Sequence, residues 1–247
     1  MFTGALHGGR KTPRGAKSRG VILLTPAAPG IGEEGVKSAL TWRRVEGLGS
    51  ALGVAAGLRH SVAVDSEGGV WGWGAGGKGQ LGAGCEARVV RRPRLVEGLE
   101  GAVSVECGQY YTLVKTGGGL VGLGSDKYGQ LGAAGRTVGQ VACGWTHSLT
   151  LEEGVVRAWG RDNYSQLGGG AGDGRPVCEG VTRLAAGSEH SLVITLEGKV
   201  LAWGWNEHGN CGKAGEEDVP RPAPVSLPGG VAASSIWAGA AHNFALT

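Results

Sequence analysis

Four stretches of this chain repeat one another. Residues 57–82 read "GLRHSVAVDSEGGVWGWGAGGKGQLG" and residues 108–132 read "GQYYTLVKTGGGLVGLGSDKYGQLG". Residues 144–168 read "GWTHSLTLEEGVVRAWGRDNYSQLG" and residues 187–212 read "GSEHSLVITLEGKVLAWGWNEHGNCG". A half-copy, "GAAHNFALT", runs to Thr247. From the first glycine to the glycine of the W-G or L-G pair is 17, 16, 16 and 17 residues, ending at Gly74, Gly124, Gly160 and Gly204. From there to the closing glycine is always eight. The copies start 51, 36, 43 and 52 residues apart, from Gly57 through Gly239. A constant unit with variable connections is the signature of a repeat architecture, in which each unit is one supersecondary piece.

The unit reads as short strands joined by turns. "HSVAV" and "HSLVI" alternate in the strand manner, a period of two. A Gly-bearing turn follows ("DSEGG", "TLEGK"), then a second strand ending in W-G; this is hairpin chemistry. Upstream, "RLVEGLEGAVSVECG" at 94–108 parallels "RVEGLGSALGVAAG" at 44–57 and adds another strand. Three to four short strands per unit predict an all-β fold of propeller blades. About four and a half copies are visible over residues 41–247.

Composition agrees. Glycine is 51 of 247 residues, against a usual share of about 7%. No Gly-X-Y period exists, so the glycines serve turns. Eight Trp against two Phe points to Trp at a repeated position. Residues 1–19 carry Arg10, Lys11, Arg14, Lys17 and Arg19 and no acid, so of a net charge of +3 the remainder holds −2. The body is therefore not a basic nucleic-acid surface, and residues 1–40 are expected to be a basic, flexible, non-repeat segment. Val21–Leu24 is the longest clean apolar run near the N-terminus, too short for a signal or a membrane span. The expectation is a soluble protein of the cytoplasm, the nucleus or both. Five cysteines without close pairs do not make a disulfide framework.

The repeat also disposes of the residues that suggest chemistry. His60, His147, His190 and His242 occupy one position of the unit, with Tyr111 in the second copy. A catalytic histidine is needed once; one per copy is a structural polar group tying neighbouring turns together. Cys107 and Cys143 align with Ala56, Ala186 and Ala238, a position that wants a small buried residue. Cys211 stands where other copies have Leu81, Leu131 and Leu167. Gly72-x-Gly74-x-x-Gly77 matches a dinucleotide fingerprint, and Gly72 to Lys78 nearly matches a phosphate loop, but no helix follows as phosphate binding requires. No catalytic residues, metal site or cofactor are expected, and no enzyme.

The pattern V-A-x-G-x-x-H-S-x-x-L followed by W-G-x-N-x-x-G-Q-L-G resembles the regulator-of-chromosome-condensation repeat family over about residues 41–247. The resemblance implies a β-propeller, usually of seven blades, and a non-enzymatic binding scaffold; some members are guanine nucleotide exchange factors. "GSEH", "WGWNEHGNCG" and "VACGWTHSL" look similar to two kinds of member. The α-tubulin-suppressor type implies an adaptor for a small zinc-ribbon partner in diphthamide synthesis and Elongator-dependent tRNA wobble modification. The secretion-regulating exchange-factor type implies a small GTPase as partner. The UV-B photoreceptor type ranks third, because only Gly144-Trp145-Thr146-His147 comes close to its G-W-R-H-T motif.

What differs between copies is what a partner can read. Two turns vary most: the pair between the first glycine and the histidine, and the four residues after the W-G glycine. Equivalent turns of equivalent blades fall on one face, as in other repeat proteins. The expected partner surface is Trp145, Arg161, Asp162, Glu189, Trp205, Asn206, Glu207 and His208. Trp203 fills the repeated core position, whereas Trp205 is an extra aromatic in a turn. One departure stands out. A propeller of this family is normally closed by an N-terminal piece bearing W-G…G-Q-L-G, and residues 1–40 hold none. An incomplete version of a longer protein, a smaller ring, or completion by a partner would each account for that, since open strand edges are normally avoided.

Overall fold

The computed structural model of the chain describes residues 22–23, 43–83, 85, 87–169 and 172–247. Most of the basic segment at 1–40, with Val21 and Leu24, lies outside the described residues. The chain divides into two compact units, one within Ala5–Ser125 and the other over Asp126–Thr247.

The first unit contains the two-residue pair β1 (Ile22–Leu23) and β2 (Arg43–Arg44). Its four-stranded sheet runs in order through β3 (Ala51–Ala56), β4 (His60–Asp65), β5 (Val70–Ala75) and β6 (Val89–Leu95). A three-stranded sheet follows: β7 (Ala102–Cys107), β8 (Tyr111–Thr116) and β9 (Gly119–Gly124). In the second unit, one sheet holds β10 (Gln140–Cys143), β11 (His147–Glu152), β12 (Val155–Gly160) and β13 (Asp173–Cys178). The next holds β14 (Val181–Ala186), β15 (His190–Thr195), β16 (Val200–Gly204) and β17 (Val219–Val225). The pair β18 (Ser235–Ala238) and β19 (Asn243–Leu246) completes it. Every sheet is an antiparallel meander, so the all-β class and the strand positions read from the repeat are those of the fold.

Stacking of sheet on sheet explains the composition of the strands. On β4, Val62 and Val64 pack with Val105, Cys107 and Val114 of the next sheet. The opposite face carries Ala63, which packs with Trp73, Val45 and Leu48. Residues 60–64 are buried on both faces, and Val62, Ala63 and Val64 alternate in size rather than polarity, as expected of a strand covered on both sides. Apolar burial of this kind contributes roughly 25 cal/mol per Å² removed from water.

Turns and edges follow from the same sequence logic. Between β4 and β5, Asp65 Oδ1 accepts the backbone N–H of Glu67 and Gly69 at 2.9 and 2.8 Å, and Oδ2 accepts Trp71 Nε1–H at 2.7 Å. Gly68 takes φ +82° there, a conformation glycine adopts without steric cost. The outermost strands carry proline: Pro93 on β6, Pro176 on β13, and Pro220, Pro222 and Pro224 on β17. Proline cannot donate to a ladder, so it belongs on edges and discourages further pairing there.

Candidate protein-interaction face

Within each sheet the two variable turns meet at one end. The residue after the W-G or L-G glycine donates its backbone N–H to the carbonyl preceding the repeated histidine or tyrosine. The bonds are Ala75 to Arg59 at 2.7 Å, Ser125 to Tyr110 at 3.0 Å, Arg161 to Thr146 at 3.0 Å and Trp205 to Glu189 at 2.9 Å. Successive turns are also tied sheet to sheet. Leu58 N–H donates to Gln109 O at 3.4 Å, Trp145 N–H to Ser188 O at 2.9 Å, and Ser188 N–H to Ala240 O at 3.2 Å.

The repeated histidines lie beneath this end. His60, His147 and His190 are buried. Each places Nε2 against a polar side chain of the following sheet: Thr112 Oγ1 at 3.1 Å, Ser191 Oγ at 3.1 Å and Asn243 Oδ1 at 2.7 Å respectively. That neighbour then donates back to the histidine's own repeat. Thr112 donates to Gln80 O and Ser191 to Gln166 O, both at 2.9 Å, and Asn243 Nδ2 to Asn210 O at 2.6 Å. Burial lowers the pKa of His60 to about 4 and of His147 to about 3, and lowers that of His190 too. These rings are neutral braces between sheets, as the repeat predicted. They also explain the first glycine of each copy, because a Cβ at Gly57, Gly144 or Gly187 would overlap the ring three residues on.

The loop after W-G is held by its own side chains. Leu131, Leu167 and Cys211 donate N–H to Asp126 Oδ1, Asp162 Oδ1 and Asn206 Oδ1 at 2.8, 2.8 and 3.0 Å. Lys78, Tyr128 and Tyr164 donate N–H to Gln80, Gln130 and Gln166 Oε1 at 2.9, 2.9 and 2.8 Å. Here two expectations are corrected. Asn206 is wholly buried, with Nδ2 donating to Gly215 O at 3.1 Å; it stabilises the loop and presents nothing to a partner. Glu189 is buried as well, accepting from Gln166 Nε2 and from Thr146 Oγ1. Burial pushes its carboxyl up, against the pull of Arg161 and those hydrogen bonds. The recurrence of Asp126, Asp162 and Asn206 at one loop position is the mark of a structural role, whereas the position of Glu189 in a turn does not reveal which way its side chain points. Asp162 remains exposed at the end of its loop but is tied to the same structural position.

Above these groups runs a ladder of rings and cations. Lys127 Nζ lies 5.1 Å from the Tyr128 ring centre. Arg161 Cζ lies 5.4 Å from the Tyr128 ring and 6.0 Å from that of Tyr164. Tyr164 and Trp205 are 6.4 Å apart, and Trp205 meets His208 edge-on at 5.1 Å. Trp205 Nε1–H donates to Glu207 Oε2 at 3.1 Å. Tyr128, Tyr164, Glu207 and His208 are exposed, and Arg161 and Trp205 are half-buried. The structure therefore brings Arg161, Trp205, Glu207 and His208 together. Trp145 is half-buried in the neighbouring turn and, among the described residues, is not one of the rings in contact. Sequence reading missed Tyr128 and Tyr164. The available signal was an aromatic at the same loop position in two copies, with His208 in a third.

Among the described residues, a recess between Leu81, Cys85, Val90 and Val96 holds about 10 Å³, the volume of a single water. Cys107, Cys143 and Cys211 are buried thiols outside any disulfide, and burial pushes the Cys211 thiol up to about 12. Among the described residues no group of three His, Cys, Asp or Glu could hold a metal ion, and no helix is long and apolar enough to cross a membrane.

Comparison with known proteins places this geometry. The model for the regulator of chromosome condensation (RCC1) repeat matches residues 67–114 and 197–246, and a second model of that repeat matches 53–80 and 181–210. Human protein RCC2 is 31% identical over 241 residues, covering 76% of this chain and 46% of the relative. The ultraviolet-B receptor UVR8 of Arabidopsis thaliana is 32% identical, covering 78% and 38%. The secretion-regulating guanine nucleotide exchange factor of Bos taurus is 31% identical, covering 79% and 40%. The chain thus spans about half the length, or less, of these relatives. Crystal structures of human WBSCR16 and of Prp20p from Saccharomyces cerevisiae both superpose with a TM-score of 0.74, at 26% and 22% identity. Each superposition covers 87% of this chain, and 62% and 60% of theirs. The sheets are propeller blades, and the chain belongs to the family of regulator-of-chromosome-condensation (RCC1) repeat proteins.

Proposed function

We propose that this chain is a non-catalytic protein-interaction scaffold, and that its partner face is the end of the blades carrying the G-x-x-H turns and the loops after W-G. The supporting observation is the ladder from Lys127 to His208. The repeat spends its histidines, glutamines and loop Asp or Asn residues on architecture. It leaves Arg and aromatic side chains at the surface, the residue types that anchor protein interfaces.

Two partner classes follow. An adaptor of the α-tubulin-suppressor type would hold a small zinc-ribbon protein and serve diphthamide synthesis and Elongator-dependent tRNA modification. A small GTPase is favoured by one specific observation, the likeness to the bovine secretion-regulating guanine nucleotide exchange factor. Either work would take place in the cytoplasm or nucleus.

Affinity capture with mass spectrometry tests the reading, comparing the natural chain with Arg161→Ala and Trp205→Ala. We expect a shared set of captured proteins that both variants lose. A GTPase held tightest without nucleotide selects the exchange-factor reading, and a zinc-ribbon protein selects the adaptor. Capture unaffected by either variant rules out this face. A turnover abolished by one substitution in a folded chain rules out the non-catalytic reading.

A further inference from the structure

The ladder is regular until its last rung. Tyr128 has Lys127 at 5.1 Å and Arg161 at 5.4 Å, and Tyr164 has Arg161 at 6.0 Å. Each tyrosine ring is thus faced by a cation of its own chain. The loop position that supplies Arg161 in one blade supplies Trp205 in the next. There the series ends on an indole, its ring centre 6.4 Å from that of Tyr164 and 5.1 Å from that of His208.

Charge reverses at the same place. Residues 205–218 hold Glu207, Glu216, Glu217 and Asp218 against Lys213, four acids to one base, net −3. Lys213 Nζ is already engaged, donating to Pro224 O at 2.8 Å. Burial and the neighbouring Glu207 carboxylate hold the Asp218 carboxyl above its usual range, against the pull of a hydrogen bond from the Asn206 backbone. Glu207, which accepts the Trp205 indole N–H, thus lies within charge range of Asp218, and among the described residues no cation of the ladder faces this indole.

We propose that Trp205 is the receiving rung of the ladder, taking a lysine or arginine side chain from an extended basic segment of a protein partner, with Glu207 and Asp218 as counter-charges. This rests on the reading of the blade end as the partner face. The face of Trp is the best aromatic acceptor of an ammonium or guanidinium group. Alternate residues of an extended chain are roughly 6–7 Å apart, which matches the 6.4 Å between Tyr164 and Trp205. An incoming cation extends the order already built from Lys127 and Arg161, and it relieves the repulsion between Glu207 and Asp218.

The test titrates a fluorescein-labelled peptide of alternating lysine and glycine into the full chain, followed by anisotropy. We expect saturable binding that weakens about tenfold in Trp205→Ala, less in Trp205→Tyr, and several-fold in the Glu207→Gln, Asp218→Asn double variant. The same peptide with acetylated lysines should not bind. Absence of binding, equal binding of the acetylated peptide, or an unchanged affinity in a Trp205→Ala chain with its melting temperature intact would each overturn the proposal. If the peptide fails while captured proteins still depend on Arg161, this inference falls and the partner face stands. If capture is also indifferent to Arg161, the face falls with it.

Discussion

His147 and Ser191 belong to different blades, yet His147 Nε2 lies 3.1 Å from Ser191 Oγ. That hydroxyl donates at 2.9 Å to the carbonyl of Gln166, which closes the same repeat as His147. One side chain thus locks a blade to its successor and to its own last loop. Removing one partner of a buried pair costs about 1–3 kcal/mol. We expect His147→Ala and His190→Ala to lower the melting temperature by similar amounts. A double-mutant cycle of His147→Ala with Ser191→Ala should show coupling of about 0.5 kcal/mol or more.

Acid should attack these braces. Burial lowers His147 to about 3 and His60 to about 4, whereas in the unfolded chain both titrate near the ordinary value of about 6.5. As pH falls below that, the unfolded chain binds protons first. The histidine contribution is therefore complete above about pH 6.5 and is lost progressively down to the folded values. Between pH 7 and pH 4 the loss is on the order of 3 kcal/mol for each of these two histidines. Thermal melts from pH 7 to pH 4 should show the decline, and His147→Asn should flatten it.

Gly144 and Gly49 should answer alanine in opposite ways. A Cβ at Gly144 would overlap the His147 ring and approach Gly187 O at 2.8 Å. Gly144→Ala should therefore destabilise by roughly 1–3 kcal/mol, the usual cost of overpacking. At Gly49 a methyl group would meet nothing within 4 Å, so Gly49→Ala should be neutral or stabilising by up to about 1 kcal/mol. Chemical denaturation of the two variants side by side decides it.

Trp203 and Trp205 are two residues apart and should behave unlike one another. Trp203 is wholly buried, and its Nε1–H donates to Gln166 O at 2.9 Å. Trp203→Ala should cost roughly 3–5 kcal/mol. Trp205 is half-buried on the rim, so Trp205→Ala should cost about 1 kcal/mol or less in stability while weakening partner capture by about 2 kcal/mol. Similar behaviour in both assays would refute the division between core and rim.

Asp162→Ala is expected to loosen its loop by about 1 kcal/mol, because it strips the acceptor from Leu167 N–H at 2.8 Å. Asp162→Asn keeps that acceptor and should recover most of the melting temperature, as Asn206 serves the same role for Cys211.

The repeat alone determined the strands, the blade fold, the structural use of the histidines and the burial of Trp203. Each is a property that every copy must satisfy, so comparing copies within one chain exposes it. Copy comparison also marked the loops around Arg161 and Trp205 as the places free to differ. It could not tell which side chains in those loops turn inward. Asn206 turns inward to accept the Cys211 N–H of its own loop, whereas Glu189 points down because the side-chain donors of Gln166 and Thr146, distant in sequence, need an acceptor there. Nor could it find the ladder. Tyr128, Arg161, Tyr164 and Trp205 come from three separate loops, and only the stacking of blade on blade brings their rings and charges within 7 Å of one another.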